Sequence, residues 1–377
     1  MPESPKTASG EILGLFLRLG LLGFGGPAAH IALMEREAVE QRRWLTREQF
    51  LDLVGGCNLL PGPSSTQVAM ALGYTRNGWA GLLIAGICFI VPASLATLAL
   101  AWAYVRYGHF PQAQGLLYGA KPVMVAIIAQ AIWRLGHMAL RTWKLGLLGV
   151  ACLAAAFAGL PPIVILLIAG GLMLALAWPT FRVRTSANGF ACILTGVGAA
   201  GAGTGLVPIA LTFLKLGVVV FGSGYVLLAF LQADLIDRLH WITQQQLLDA
   251  ITAGQVTPGP VFATATFLGY LLHGWPGALV ATVAIFLPSF FLAAAVGALA
   301  GRLRQWKPAG AFIEGVNAAS VALMAEVGFL LGKATLIDSW TWAIGLASAL
   351  LLLRFRVNAT WLILGGAALG IVLRGLH

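Results

Sequence analysis

Apolar residues fall in long blocks separated by short polar connectors. The blocks cover about 11–34, 48–74, 79–106, 115–140, 143–158 and 161–178, then about 206–231, 245–272, 276–302, 312–333, 339–354 and 358–374. Crossing the hydrocarbon core of a bilayer takes about 20 apolar residues in a helix, fewer where the bilayer thins. Each block therefore predicts a membrane helix, the shortest ones near the lower limit. The second block of each half is different: it opens amphipathic, carries Asp52 or Asp249, and is broken in its middle by Pro-Gly-Pro. The stretch 189–203 is rich in Gly and Ala and reads as linker or a short extra helix.

Composition fits this pattern. The chain is 59% hydrophobic and only 10% charged, against roughly 25% charged in an average soluble domain. Too little polar surface remains to cover a soluble globule, so the partner of the surface is the lipid bilayer. The first ten residues lack a basic n-region and cleavage site, which argues against a removed signal peptide. A formal charge of +10 reads as basic cytoplasmic loops and not as a nucleic-acid surface. Cys57, Cys88, Cys152 and Cys192 lie in apolar segments without CxxC spacing, as small buried side chains do. His30, His137 and His273 are solitary. No HExxH, GxSxG elbow or intramembrane cluster of His or carboxylates occurs, so neither an enzyme nor a metal or other cofactor is expected.

The chain is a duplication. At an offset of 197, Phe16 to Gly20 falls on Phe213 to Gly217, Trp44 to Thr46 on Trp241 to Thr243, and Pro61-Gly62-Pro63 on Pro258-Gly259-Pro260. One residue is then lost, and Gly73, Tyr74, Trp79, Gly81, Pro92 and Gly119 fall on Gly269, Tyr270, Trp275, Gly277, Pro288 and Gly315. The expected organisation is a polar tail over 1–10, a first repeat over 11–180, a linker over 181–205 and a second repeat over 206–377.

Loop charge chooses between two courses for the broken second block, a full crossing or a re-entrant hairpin. Leaving out Lys6 and the intrahelical Arg18, Lys121, Arg134 and Lys215, full crossing divides the remaining Lys and Arg 11 to 7. Two hairpins leave five spans per half and divide them 14 to 4, with Arg106, Arg238, Lys333 and Arg374 on the poorer side. The positive-inside rule selects the hairpins. An odd span count also inverts the second repeat relative to the first, a plan of many secondary transporters. The predicted fold is an all-α polytopic membrane protein of two inverted repeats, each of about five transmembrane helices plus a re-entrant broken helix. A homodimer is compatible with this, and nothing in the pattern fixes the oligomeric state.

The breaks carry the chemistry. Proline stops the preceding helix, glycine turns the chain, and the second proline opens the next half-helix. A new helix start offers free N–H groups and about half a positive charge. Asn58, Ser64, Ser65, Thr66 and Gln67 flank the first break; Gln255, Thr257 and Thr264 flank the second. Helix N-termini and hydroxyls without a carboxylate suit an anion. Simple kinking is the competing explanation, weakened because both breaks sit at matched positions. Arg18 and Lys215 share a repeat position, and an intramembrane cation snorkels, pairs or faces water; attraction of an anion and snorkelling are both open. The first block of each half ends in Gly25-Gly26-Pro27 or Gly222-Ser223-Gly224, which serves a helix break or close helix packing alike. Glu326, opposite Gln130 in the repeat, is either a proton carrier or a partner of Asn317, Lys333 or backbone. Glu35, Glu37, Glu40, Asp234 and Asp237 read as membrane-edge surface.

These motifs resemble the chromate ion transporter family, whose long members are fused pairs of homologous domains. The likeness runs from about Leu13 to the C-terminus and is carried by Phe24 to Ile31, Arg43-Trp44-Leu45, Asn58 to Thr66, Ala253 to Phe262 and Ala265 to Tyr270. It implies export of chromate across the bacterial cytoplasmic membrane, driven by membrane potential or a proton gradient, and resistance to chromate. The residues themselves imply a small oxyanion. Sulfate, another tetrahedral dianion, and an anion channel are the alternatives.

Overall fold

The structure is a computed structural model that describes residues 8–24, 26–177, 205–221, 224–303, 307–355 and 357–375. Expectations for residues 1–7, the linker stretch 189–203, Gly25, Gly222, Ser223 and Cys192 lie outside the described residues. Among those described, every regular element is helical. The first repeat holds α1 (Ser9–Leu22), α2 (Gly26–Glu35), α3 (Arg47–Asn58), α4 (Ser64–Tyr107), α5 (Pro111–Ala139), α6 (Trp143–Phe157) and α7 (Pro162–Ala177). The second holds α8 (Leu206–Val219), α9 (Leu227–Leu231), α10 (Gln244–Val256), α11 (Thr264–Leu303), α12 (Lys307–Thr335), α13 (Ser339–Arg354) and α14 (Ala359–Gly375).

Repetition extends to backbone detail. Thr46 and Thr243 open α3 and α10 with the same capping box, closed by Gln49 and Gln246. Each box satisfies two otherwise orphaned N–H groups. The residues ahead of them, Arg43 and His240, both adopt positive φ. A π-helical stretch follows α2 at Arg36–Gln41 and α9 at Gln232–Arg238.

Both long helices, α4 and α11, fold back on themselves. Asn77-Gly78 and His273-Gly274 leave helical geometry, with φ 55° at Gly78 and 60° at Gly274, values that glycine adopts without a Cβ penalty. Residues 64–76 then lie against the start of 79–107, because Gly73 and Gly81 touch backbone to backbone, as Gly269 and Gly277 do. Arg76 donates from Nη1 to the Trp44 carbonyl at 3.2 Å. The arm 64–76 thus finishes beside the start of α3, making α3, Pro-Gly-Pro and this arm a hairpin with both feet at one end.

The first apolar block differs from expectation. Instead of one spanning helix over 11–34 it is two, folded at Gly23, where ψ is 82°, and Gly26, at φ 78°. Pro27 then restarts a helix, as proline in a first turn does. Asn77 bonds Ser9 at 3.1 Å, Arg42 bonds Glu11 at 2.9 Å and Arg47 bonds Glu35 at 3.1 Å. The start of α1 and the end of α2 therefore share the Arg76 end. The 14 residues of α1 reach about 21 Å at 1.5 Å each, short of the ~30 Å core. Four helices among the described residues are long and apolar enough to cross a membrane: Ser64–Tyr107, Pro111–Ala139, Val261–Ala298 and Gly310–Thr335. The other apolar helices have 10–17 residues, so the count of five spans per half does not rest on long helices.

The two repeats interlock. The hairpin α13–α14 of the second repeat packs on α5 of the first, where a Cβ on Gly119 would run into the Gly366 carbonyl. Tyr118 donates to Asp338 at 2.7 Å and Gln130 to the Leu352 carbonyl at 3.0 Å along the same seam. The matched seam puts Gly315 of α12 against Ala169 of α7. Lipid is as apolar as leucine, so small residues that let backbones approach supply much of the association. Leu147, Val150, Leu279 and Leu346 stand exposed, as lipid-facing residues do. The chain is a multi-pass membrane protein.

Candidate functional site

Each Pro-Gly-Pro turn is tied to the other repeat. The Gly62 N–H donates to the Val220 carbonyl at 2.6 Å, and the Gly259 N–H donates to the Gly23 carbonyl at 2.8 Å. Gly23 and Val220 are repeat mates, so this is one contact made twice. Gly62 at φ 112° and Gly259 at φ 98° occupy backbone space that only glycine enters easily. Behind each turn lies the other repeat's long helix: a Cβ on Gly62 would meet the Ser289 hydroxyl, and one on Gly259 the Ala93 methyl. The hairpin tips also meet, with Pro27 beside Gly224 and Gly26 beside the Tyr225 hydroxyl.

The flanking donors differ in use. Ser64, Ser65, Thr66 and Gln67 are all buried, Thr66 and Gln67 completely, at the first turn of the arm that Pro63 caps. The Gln67 amide nitrogen binds the Pro61 carbonyl. Its Oε1, the Thr66 hydroxyl and the Ser289 hydroxyl have no partner. In the second repeat Gln255 bonds the Tyr225 hydroxyl, yet its Nε2 has no partner. Thr257 bonds Thr97 across the repeats at 3.1 Å and Thr264 bonds the Val261 carbonyl at 2.8 Å; these two are committed to structure. Asn58 is exposed and Pro61 and Pro258 are half-buried, while Pro63 and Pro260 are buried. A buried polar atom without a partner costs about 1–3 kcal/mol. Several such atoms at one place describe a neutral polar cradle with unmet hydrogen-bonding capacity.

Sequence reasoning missed His30, which is 1% exposed and binds the Gly23 carbonyl through Nε2 at 2.8 Å. That carbonyl also accepts the Gly259 N–H, so the imidazole fixes the tip that fixes the turn. The signal was its site six residues past Phe24 in an otherwise apolar block.

The expected anion attractors are paired instead. Lys215 Nζ reaches both carboxylate oxygens of Asp234 at 2.8 Å, and Asp234 is 5% exposed. Arg18 lies 3.6 Å from Glu37, its side chain 66% exposed. Glu37 and Asp234 are repeat mates, both buried, which corrects their reading as membrane-edge surface. A cation at this depth is stabilised by a carboxylate on the neighbouring arm, so the pairs staple each first hairpin. Glu326 is half-buried on α12, with Asp237 as the charged group nearest in effect. Among the described residues no group of three or more His, Cys, Asp or Glu could hold a metal.

Broken helices joined across a duplicated interface, with unpaired donors where they meet, define a repeat-built membrane transport protein. The chain belongs to the chromate transporter family: the profile described as "Chromate transporter" matches residues 10–176 and 207–371. It is 32% identical over 376 residues to the chromate transport protein of Cupriavidus metallidurans, covering 97% of this chain and 93% of that one. It is 31% identical over 350 residues to a probable chromate transport protein of Synechococcus elongatus, covering 91% and 89%. A chromate transport protein of Pseudomonas aeruginosa is 31% identical over 347 residues, covering 88% and 83%. No solved structure matches.

Proposed function

We propose that this protein is a secondary transporter that carries chromate out of the cell across the bacterial cytoplasmic membrane by alternating access, holding the dianion between the two Pro-Gly-Pro turns. The observation that carries the site is the set of buried, unpartnered polar groups able to donate at those turns: the Thr66 and Ser289 hydroxyls and Gln255 Nε2. Hydroxyls and the amide NH₂ donate to the oxyanion, beside the start of the helical arm 64–76, whose dipole favours negative charge. A neutral cradle releases a dianion more readily than a cluster of cations would. Lys215 and Arg18 act at a distance here, as members of near-neutral pairs.

In this reading the Pro-Gly-Pro segments are re-entrant hairpins that come in from opposite membrane faces, and the repeats are inverted. The return of Arg76 to Trp44 supports the first statement. The second is supported by Lys121 of α5 reaching Gln245 and Asp249 near the start of α10, at the opposite end of α4 from Arg76. The end carrying Arg42, Arg43, Arg47 and Arg76 is cytoplasmic by the positive-inside rule. Irregular backbone at this depth is tolerated because protein surrounds it. Expelling a dianion from a negative-inside cell gains about 4.6 kcal/mol per 100 mV, twice the single-charge value. Rocking of the repeats about the paired Gly62–Val220 and Gly259–Gly23 bonds would open the cradle to each face in turn.

The test uses purified protein in liposomes, with chromate and sulfate offered under an imposed voltage. Saturable chromate flux with substrate counterflow is expected, lost in a Pro61→Ala, Pro258→Ala double variant that still folds. Normal flux in that variant would sink the site. Flux without counterflow would indicate a channel, and sulfate flux exceeding chromate flux would reassign the substrate.

A further inference from the structure

A cavity of about 580 Å³ opens between the end of α4, the start of α5, the start of α10 and the ends of α12 and α14. Its wall holds Tyr104, Tyr118, Lys121, Gln245, Asp249 and Arg374. None of these serves the cradle at the turns. Asp249 is 4% exposed, and Tyr104 donates to its Oδ2 at 3.0 Å. Its Oδ1 lies 3.1 Å from Lys121 Nζ, and Lys121 also donates to Gln245 at 2.9 Å. The carboxylate is therefore held between one hydroxyl and one ammonium at the cavity wall. Arg374 bonds Gln114 at 2.8 Å and stacks over Tyr118 at 5.5 Å, while Tyr118 donates to Asp338. His109 also lines the cavity. Asp249 sits at the foot of this ring, on the helix that leads to the second Pro-Gly-Pro.

The repeat supplies a control. The mate of Asp249 is Asp52, but the mates of Lys121 and Tyr104 are Asn317 and Ala300. The cation and the phenol beside Asp249 thus have no counterpart of the same residue type at the matched positions of the first repeat's carboxylate.

We propose that Asp249 is the proton-binding site that couples oxyanion transport to the pH gradient, taking its proton from water in this cavity. A hydronium ion gives its proton to the Asp249 carboxylate, leaving water and a neutral acid. Lys121 keeps its own protons and loses its counter-charge, so its ammonium becomes available to an approaching dianion. Release of that proton toward the cytoplasmic side restores the pair and expels the anion from this mouth, so one proton enters for each anion that leaves. The proposal rests on the transport reading above.

The test measures chromate flux in liposomes containing the full chain, with voltage clamped by potassium and valinomycin and a pH difference imposed. In the wild type the accumulation ratio is expected to change by up to about tenfold per pH unit for one proton per anion. Asp249→Asn should abolish that response while keeping voltage-driven flux and counterflow; Asp52→Asn should keep it. Asp249→Glu keeps the carboxylate and should retain the response, which guards against a misfolded single variant. A pH response in Asp249→Asn equal to wild type overturns the proposal. So does folded Asp249→Asn protein that loses flux under both driving forces, because the pair is then structural. Wild-type chromate movement without proton movement, followed by an enclosed pH dye, also overturns it and leaves the transport reading standing. Absence of any wild-type chromate or sulfate flux under voltage refutes the transport reading itself.

Discussion

Replacing Lys215 by Met separates two roles for an intramembrane cation. If Lys215 only staples α8 to the π-helical arm that follows α9, the loss appears as stability. Two unit charges 2.8 Å apart attract by about 6 kcal/mol at an effective dielectric of 20, before desolvation. Removing one partner of a buried pair costs about 3–5 kcal/mol. Arg238 lies 3.3 Å from Asp234 and retains part of its charge balance, which places Lys215→Met near the lower figure, about 3 kcal/mol. Asp234→Asn should be comparably harmful, since it strands the ammonium at 19% side-chain exposure. The double variant, Lys215→Met with Asp234→Asn, should recover most of the loss, because removing both members of a buried pair is often neutral. Thermal unfolding in detergent, followed by monodispersity on size exclusion, reads the stability. Chromate flux in liposomes reads the function. A double variant with restored stability but no transport would refute the stapling argument and return Lys215 to the anion path. Arg18 provides the contrast. Its side chain is 66% exposed and 3.6 Å from Glu37, so Arg18→Met should cost less than about 1 kcal/mol.

Ser289→Ala removes a buried hydroxyl that has no partner, and should leave stability equal or improved by up to about 1 kcal/mol while flux falls; a loss of stability would show that the hydroxyl is already used. Gly62→Ala and Gly259→Ala force a side chain into positive φ at about 1–3 kcal/mol and should stop transport; wild-type counterflow in either would remove the turns from the mechanism. Gly119→Val should prevent accumulation of folded protein, because the Gly366 backbone occupies the space a Cβ needs; normal expression would disprove the tight seam. Burial raises the pKa of the Asp338 carboxyl, but bonds from the Thr341 N–H and the Tyr118 hydroxyl outweigh it and hold the group below its usual range. Its contribution to stability should be complete above the unfolded value of about 3.9 and vanish as pH falls through the lower folded value. Asp338→Asn should lower the unfolding temperature at neutral pH and make no difference at strongly acidic pH.

Sequence pattern revealed what is periodic or duplicated. The later apolar blocks and the matched Pro-Gly-Pro breaks reappear as elements. It did not reveal the fold-back of the first block, because Gly23 to Pro27 reads equally as close packing or as a turn. Only the contacts of Ser9 with Asn77 and of Glu11 with Arg42 choose between those. Pairing was likewise invisible: Lys215 and Asp234 are 19 residues apart, a spacing with no meaning until α8 and its following arm lie side by side. Lys121 and Asp249, at 124 and 128 residues' remove from their partners Gln245 and Lys121, depend on the two repeats being brought together. Ser289 escaped notice because a serine beside Pro288 resembles an ordinary helix kink.

Duplication explains the geometry of this molecule, and departures from duplication explain its chemistry. The bonds Gly62–Val220 and Gly259–Gly23 are copies of one contact, and they hold both turns at equivalent places. A faithful copy would also give the two mouths the same chemistry and the two sides of the cradle the same polarity. That symmetry is broken at the site among other places: Ser64, Ser65 and Thr66 fall on Val261, Phe262 and Ala263, Ser289 stands where its mate is Ala93, His30 where its mate is Leu227, and Lys121 and Tyr104 where the mates are Asn317 and Ala300. Each departure adds a polar or titratable group to one side only. A transporter made of two equal halves exchanges its ends without preference, whereas coupling to a gradient needs an end that differs. Those named here lie at the turns or at one mouth, His30 and Ser289 buried and Lys121 and Tyr104 half-buried. In a membrane interior each buried polar group is costly unless it is partnered or used. The unpartnered ones, Ser289 foremost, are therefore the positions where transport chemistry is best sought.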